Sequence, residues 1–322
     1  MSKLQVAVAG AGGKGVQHIG ILKSFTDVEI VAVCDPVEEA RNSVGDEFAI
    51  PNRYSSVDKL LDGGSLDAVF AATPAEYNGP VALSCLSRGV NTFVEKPPAM
   101  TLVETIALRD AAVRTGAKGM VGLNRRFHPL IVEAAELVQE RGPTVQLVGE
   151  FHKTMTGLEA RGKLPEEILD NVLIFNDIHS VDLVRALAGS EVSQVHSVTR
   201  RILHKYRDVY AALVEFDNGC VAQFVFNHTS GYRLERYEIH GNDVSAYLDG
   251  VDTGVVFVNE ERQDLPSYPT SGTEEEIRYF VEAILNNTPI GPREDSNRLT
   301  APNFDEAIKS MELAEAILAG GS

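Results

Sequence analysis

A glycine-rich turn between an apolar run and a helix-like one constrains this chain more than any other feature. LQVAVAG (4–10) leads into GAGGKG (10–15), which sets Gly10, Gly12 and Gly15 at the spacing G-x-G-x-x-G and opens GKGVQHIGILKSF. Such a turn suits a strand that delivers the chain to a helix N-terminus. The first glycine permits the tight turn, the second lets a pyrophosphate approach the backbone, and the third lets helix and strand pack closely. Gly13 and Lys14 begin the helix, whose free N–H groups and partial positive charge complete a phosphate cradle. Asp35 lies 20 residues past Gly15, at the end of the next strand-like run VAVCDP. A carboxylate there accepts from both ribose hydroxyls and repels a 2′-phosphate, so NAD is expected and NADP disfavoured. No Arg directly follows Asp35, although Arg41 is a turn and a half further on. The competing reading is structural, with Asp35 capping the helix after Pro36.

The rest of the first third repeats this grammar. VEIVAVC (28–34), LDAVFAAT (66–73), VNTFVE (90–95) and AKGMVGL (117–123) are continuous apolar runs separated by helix-like segments. This is the pattern of a parallel sheet covered on both faces, an α/β Rossmann domain over 1–123. From 124 the pattern changes. After a helix-like HPLIVEAAELVQERG come long strand-like runs, with DNG at 217–219 a hairpin turn between two of them. The segment 124–322 therefore reads as an α+β domain with a large, mostly antiparallel open sheet. Two amphipathic helices close the chain, the last over 303–319 and able to pack back on the first domain. RQDLPSYPTSG (262–272) reads as the most mobile loop.

Composition narrows the function classes. A formal charge of −17 over 322 residues argues against nucleic acid or an anionic membrane as partner. Three scattered cysteines make neither a disulfide framework nor a thiolate metal site, and the histidines other than His179 lack the spacing of a metal site, so no metal is expected. With no leader-like N-terminus and no run near the ~20 apolar residues of a membrane span, a cytoplasmic location is expected.

Several polar residues stand at the edge where such sheets hold ligands. Thr73 and Pro74 end the strand over 66–73 and would flank a dinucleotide; an ordinary loop with a Pro turn is the alternative. Glu95 and Lys96, in FVEKPPAM, end another buried strand at the cofactor edge, where an ammonium can polarise a substrate hydroxyl. In DNVLIFNDIHSVDLVRALAG (170–189), Asn176, Asp177 and His179 interrupt an apolar helix. Asn176, three residues before His179, shares its face; Asp177 is about 160° from it and reads as an N-cap unless the helix starts late. Lys153 ends a strand-like run and reads either as a substrate contact for anions or hydroxyls or as a solvated charge.

GAGGKGVQH, ATP, EKP, GLNRRFHP (122–129) and a helix with His179 and Asp182 occur in the order and spacing of one family. The chain resembles the glucose–fructose oxidoreductase / inositol dehydrogenase / MocA family over essentially its whole length, and RYEIHG (236–241) is similar to its R-x-E-x-x-G strand. The resemblance implies reversible hydride transfer at a secondary alcohol of a sugar, cyclitol or related molecule, in a homodimer or homotetramer built through the second sheet. It makes Lys96 the catalytic lysine and His179 the acid/base, for which an imidazole titrating near neutrality is suited. Asn124 and Arg126 match the G-x-N-x-R-F segment that contacts cofactor or substrate, with plain surface charge the alternative for Arg125 and Arg126. Lys153, Asn176 and Asp177 complete the substrate set; Asp182 is placed either to orient the imidazole or to bind the neighbouring sheet.

Three departures mark where the resemblance thins. Phe175 stands where relatives keep a carboxylate four residues before the histidine, Asp177 replaces a glycine, and Asn78 stands for a histidine shortly after A-T-P. The missing carboxylate keeps two other readings open: a non-catalytic NAD(H)-binding regulatory protein, and a reductase of a different carbonyl or imine. Substrate specificity is expected in loop 154–169.

Overall fold

Burial on both faces turns the apolar runs of the first third into a parallel sheet. The computed structural model describes residues 3–160, 164–291 and 299–320. Six strands, β1 (Leu4–Ala9), β2 (Val28–Cys34), β3 (Asn52–Tyr54), β4 (Ala68–Ala71), β5 (Asn91–Glu95) and β6 (Gly119–Gly122), run parallel in the order β3-β2-β1-β4-β5-β6. Every residue of β4 and Val6–Val8 of β1 are sealed from solvent. Strand order reverses between β1 and β4, and a doubly wound sheet receives its ligand at the carboxyl ends of such a pair. The strand β3 is absent from the sequence reading because its three polar residues, NRY, form an edge with no apolar run.

Contacts divide the chain into two units, the first holding described residues of 1–123, 273–291 and 301–308, the second those of 124–272, 299–300 and 309–320. Helix Thr273–Leu285, assigned by sequence to the second domain, belongs to the first unit. Its Phe280 meets Phe70 and Phe93 edge-on at 5.6 and 5.8 Å between ring centres, and Arg278 pairs with Asp27 at 2.8 Å. Phe304, at the start of the last helix (Phe304–Ala319), joins Leu108 and Val121 in the first unit's core.

The second unit is built on eight strands: β7 (Gln146–Thr154), β8 (Val192–Arg200), β9 (Val209–Phe216), β10 (Val221–Asn227), β11 (Thr229–Gly241), β12 (Val244–Asp249), β13 (Thr253–Val258) and β14 (Glu261–Asp264), in the order β14-β13-β12-β11-β7-β10-β9-β8. All pairs are antiparallel except β7 with β10. Burial alternates along β9 and β10, so one face is covered and the other open. Helix Ile178–Ala188 lies on β7 and β10, and helix Pro129–Gln139 on β11, β12 and β13. The open face shows Val198, Leu213 and Val225 at 46, 39 and 41% exposure. The DNG hairpin forms as read, with Gly219 at φ +85°.

Two stretches differ from the sequence reading. The run VSQVHSVTRRILHKY (192–206), strand-like throughout in sequence, leaves the sheet after Arg200, because the buried Asp208 carboxylate gathers the N–H groups of Ile202, Leu203 and His204 at 2.8, 2.7 and 3.0 Å. The segment 262–272 is anchored: its first residues lie in β14, the Tyr268 hydroxyl donates to Glu133 at 2.7 Å, and Asn124 and His128 bond the carbonyls of Ser271 and Thr270 at 2.7 and 2.8 Å. Among the described residues no helix is long and apolar enough to cross a membrane.

One buried ion pair organises the helical side of this unit. Arg126, 2% exposed, donates to both Asp182 oxygens at 2.8 and 2.6 Å and to the Thr300 carbonyl at 2.8 Å, while Ser310 donates to Asp182 at 2.7 Å. Removing one member of such a pair strands the other charge. The variant Arg126→Met should therefore lose roughly 3–5 kcal/mol in chemical denaturation; a loss below 1 kcal/mol would show that this contact is not structural.

Candidate active site

The dinucleotide end lies in the first unit and follows from backbone sterics. Gly10 has φ +109°, and a Cβ there would lie 2.2 Å from the Ala72 carbonyl oxygen. A Cβ on Gly15 would lie 1.8 Å from the Gly10 oxygen, so the helix starts against the strand end only because no side chain intervenes. Gly12 differs: nothing stands within 4 Å of its absent Cβ. It opens helix Gly13–Ser24 as N-cap with no side-chain bond, leaving its first N–H groups directed at open space. That space continues into a cavity of about 620 Å³ lined by Gly10, Gly12, Gly13, Lys14, Asp35, Thr73 and Pro74.

Asp35 is fixed over this cavity. One oxygen accepts from Ala11 N–H and the other from Val37 N–H, each at 2.8 Å. A carboxylate has about four acceptor positions, so capacity for ribose hydroxyls remains. The N-cap of the following helix, Glu38–Glu47, is Val37 and not Asp35, against the capping alternative. Arg41 folds back on the same loop, donating to the Pro36 carbonyl at 3.2 Å and pairing with Glu38 at 3.5 Å.

Three residues expected at the cofactor stand just outside the cavity lining. Gly15 serves packing. Glu95, 6% exposed, accepts from His18 at 2.9 Å and lies 3.7 Å from Lys14. Burial alone would raise its carboxyl, but the His18 hydrogen bond and charge, with Lys14 and Lys96 close by, outweigh burial and hold it below the ordinary carboxylate range. Lys96 is half-buried, and its peptide bond to Pro97 is cis.

Sequence reasoning noticed Asn78 only as a departure. It is 1% exposed; its amide donates to the carbonyls on either side of Lys96, Glu95 and Pro97, at 3.0 Å each, and its oxygen accepts from the Thr73 hydroxyl at 2.8 Å. Asn78 thus ties the A-T-P turn to the E-K-P turn. The available signal was a lone amide on the helix after a ligand-edge strand, which spacing alone could not distinguish from a solvated residue.

The polar residues of 170–189 lie in the second unit, where the backbone itself is irregular. Leu173–Asp177 forms a single π-helical turn before helix Ile178–Ala188, a feature often found beside functional residues. Phe175, Asn176 and His179 are half-buried while Asp177 is fully enclosed. Asn176 accepts from the Lys153 ammonium at 2.5 Å, so two expected substrate residues meet. Asp177 requires a correction. At the N-cap position it makes no side-chain cap bond; its carboxylate accepts from the equally enclosed His228 at 2.7 Å, out of reach of solvent. Arg126 and Asn124 also require one: the guanidinium is committed to Asp182, and Asn124, 6% exposed, bonds Ser271 and Arg125. Asp182 consequently serves Arg126 rather than an imidazole. Of the loop 154–169, residues 161–163 lie outside the described residues.

A doubly wound sheet whose open helix N-terminus and next-strand acid line one cavity has the arrangement of a dinucleotide-binding domain. The chain belongs to the GFO/IDH/MocA family: the profile "Oxidoreductase family, NAD-binding Rossmann fold" matches residues 4–123 and "GFO/IDH/MocA C-terminal domain" matches 160–247. It is 27% identical over 318 residues to scyllo-inositol 2-dehydrogenase (NAD(+)) of Bacillus subtilis (strain 168), covering 89% of this chain and 88% of that one. It is 24% identical over 324 residues to D-xylose 1-dehydrogenase (NADP(+)) 2 of Haloferax volcanii, covering 98 and 99%. The structure of UDP-N-acetylglucosamine 3-dehydrogenase from Acidithiobacillus ferrooxidans shares the fold, with TM-score 0.84 at 22% identity over 100 and 98% of the two chains.

Because Asp35 keeps acceptor capacity over the cavity, Asp35→Ala should weaken NAD binding roughly 10- to 100-fold, the cost of charge-assisted hydrogen bonds, and narrow the gap to NADP. NADH and NADPH fluorescence titrations measure both; unchanged NADH affinity would exclude Asp35 from the ribose site.

Proposed function

We propose that the protein is an NAD-dependent dehydrogenase that transfers hydride between nicotinamide and a secondary alcohol or ketone of a sugar, cyclitol or sugar derivative. Its relatives named for inositol and xylose dehydrogenation support the substrate class. The observation that carries most weight is the pairing of Lys153 with Asn176 beside the half-buried His179, which gives the second unit a cluster of donors and acceptors suited to hydroxyl groups.

Bound NAD would supply the hydride acceptor. The chain's own part is proton and charge management. In oxidation His179 accepts the hydroxyl proton as the C–H hydride departs, and in reduction it returns that proton. Lys96, its backbone gripped by Asn78, presents an ammonium that stabilises negative charge growing on the substrate oxygen. Lys153 and Asn176 orient neighbouring hydroxyls, and Asp177 with His228 supports the helix start from beneath. Aliphatic side chains exposed on the open face of the second sheet support a homodimer or homotetramer formed there, a count that light scattering reads directly. Three buried free cysteines, with burial pushing the thiols up to about 11, 12 and 11 at Cys34, Cys85 and Cys220, suit the cytoplasm.

Lys96→Met and His179→Ala should each lower kcat by roughly 10²–10⁴-fold on whichever cyclitol, aldose, uronate or sugar phosphate the wild type oxidises, with NADH binding retained. Near-wild-type rates in both variants would refute these roles.

A further inference from the structure

Two of the exposed large apolar side chains of the first unit line a single cavity. Val37 is 57% exposed and Tyr77 56%, and both border the space that opens at Gly12. Topology sets them on opposite sides of it. Strand β1 lies between β2 and β4 in the sheet, so the loop after β2, which carries Val37, and helix Ala75–Ser87 after β4, which carries Tyr77, flank the glycine turn. Val81, one turn beyond Tyr77, extends its wall, and Pro36 and Val57 extend the wall of Val37.

The exposure of Tyr77 is fixed by its surroundings. Its N–H donates to the Pro74 carbonyl at 2.8 Å, and the next residue, Asn78, is enclosed and held by three hydrogen bonds. Successive helical residues point about 100° apart, so with Asn78 committed to the carbonyls beside Lys96, Tyr77 faces away from the core. Its hydroxyl has no partner among the described residues. Two apolar walls left open to water are suited to a flat heteroaromatic group, whose faces stack on a phenol ring and pack against aliphatic side chains. Asp35 says which group. It precedes Val37 by two residues and is fixed over the same cavity by the N–H groups of Ala11 and Val37, so the base attached to the ribose it would hold reaches these walls.

The polar side chains on the Val37 side are few and unselective. Ser56 accepts from the Lys59 N–H at 3.3 Å as the cap of helix Val57–Asp62, and Ser55 accepts from the Lys59 ammonium at 3.1 Å. Each hydroxyl keeps its own proton and can turn to donate or accept, so neither distinguishes an amino edge from an oxo edge. The Cys34 thiol, pushed up to about 11 by burial, is a weak donor.

We infer that Tyr77 is a base-stacking residue, and that this protein holds the adenine of NAD by its faces, between Tyr77 and Val37, without reading its edge. The inference concerns the dinucleotide alone and stands or falls independently of the sugar or cyclitol substrate proposed above.

Calorimetric titration with NAD, ADP-ribose and nicotinamide hypoxanthine dinucleotide tests both halves. Hypoxanthine keeps the purine faces but carries an oxo group for the amino group and turns N1 from acceptor into donor, so a site that reads the edge rejects it. NAD and the hypoxanthine analogue should bind within about fivefold of each other; a larger loss with the analogue would overturn the inference. Tyr77→Ala should weaken NAD and ADP-ribose, which lacks the nicotinamide, about tenfold each, the loss expected of one base stack. Tyr77→Phe should keep wild-type affinity. Because Tyr77 is exposed, ligand-free Tyr77→Ala should melt at the wild-type temperature, which separates a lost ligand contact from a damaged fold. Unchanged ADP-ribose affinity in Tyr77→Ala, or a Tyr77→Phe protein as weak as Tyr77→Ala, would overturn the assignment of the ring.

Discussion

At the reversal of strand order the chain passes so close to itself that no side chain fits, and the rest of the first unit depends on this contact. Gly10 lies on the Ala72 carbonyl and Gly15 on the Gly10 carbonyl. These approaches lock the end of β1, the start of the first helix and the end of β4 into one geometry. From that geometry follow an uncovered helix N-terminus, the open space at Gly12, and the placement of Asp35 and Thr73 along a single cavity. The same region continues through Thr73 to Asn78 and on to the carbonyls flanking Lys96. A steric constraint at two glycines thus extends by hydrogen bonds to the residue assigned to stabilise charge on the substrate.

The second unit is organised by buried charge. Arg126 with Asp182 and His228 with Asp177 are enclosed pairs, and Glu235 collects two guanidiniums and a phenol. Such groups are costly to bury singly and specify their neighbours closely when matched. Asp177 and Arg126 are enclosed with their partners, while Asn176, His179, Lys153 and Arg233 keep exposed surface.

Much of the fold was legible in sequence because hydrophobic period and glycine spacing are local signals. The five apolar strands of the first sheet and the DNG hairpin are of this kind. The three-residue polar β3 and the strand β14, read as a mobile loop, carry no such signal; their pairing comes from neighbours distant in sequence. The glycine turn and Asp35, which line one cavity, were readable for the same local reason. Arg126 and Asp177 were misplaced because motif position records that a polar residue matters, whereas the identity of its partner, Asp182 or His228, is a tertiary fact. The π-helical turn at Leu173–Asp177 likewise alters the helical wheel in a way that 100° per residue does not anticipate.

The central claim is that this site moves a hydride between a substrate carbon and nicotinamide while the chain manages the proton. Mass spectrometry of the NADH formed from a polyol deuterated at its carbinol carbons tests it most directly. One deuterium in the reduced nicotinamide, absent when solvent alone is deuterated, is the expected result. NADH that carries no substrate deuterium, or no NADH formed with any polyol despite tight dinucleotide binding, would contradict the account.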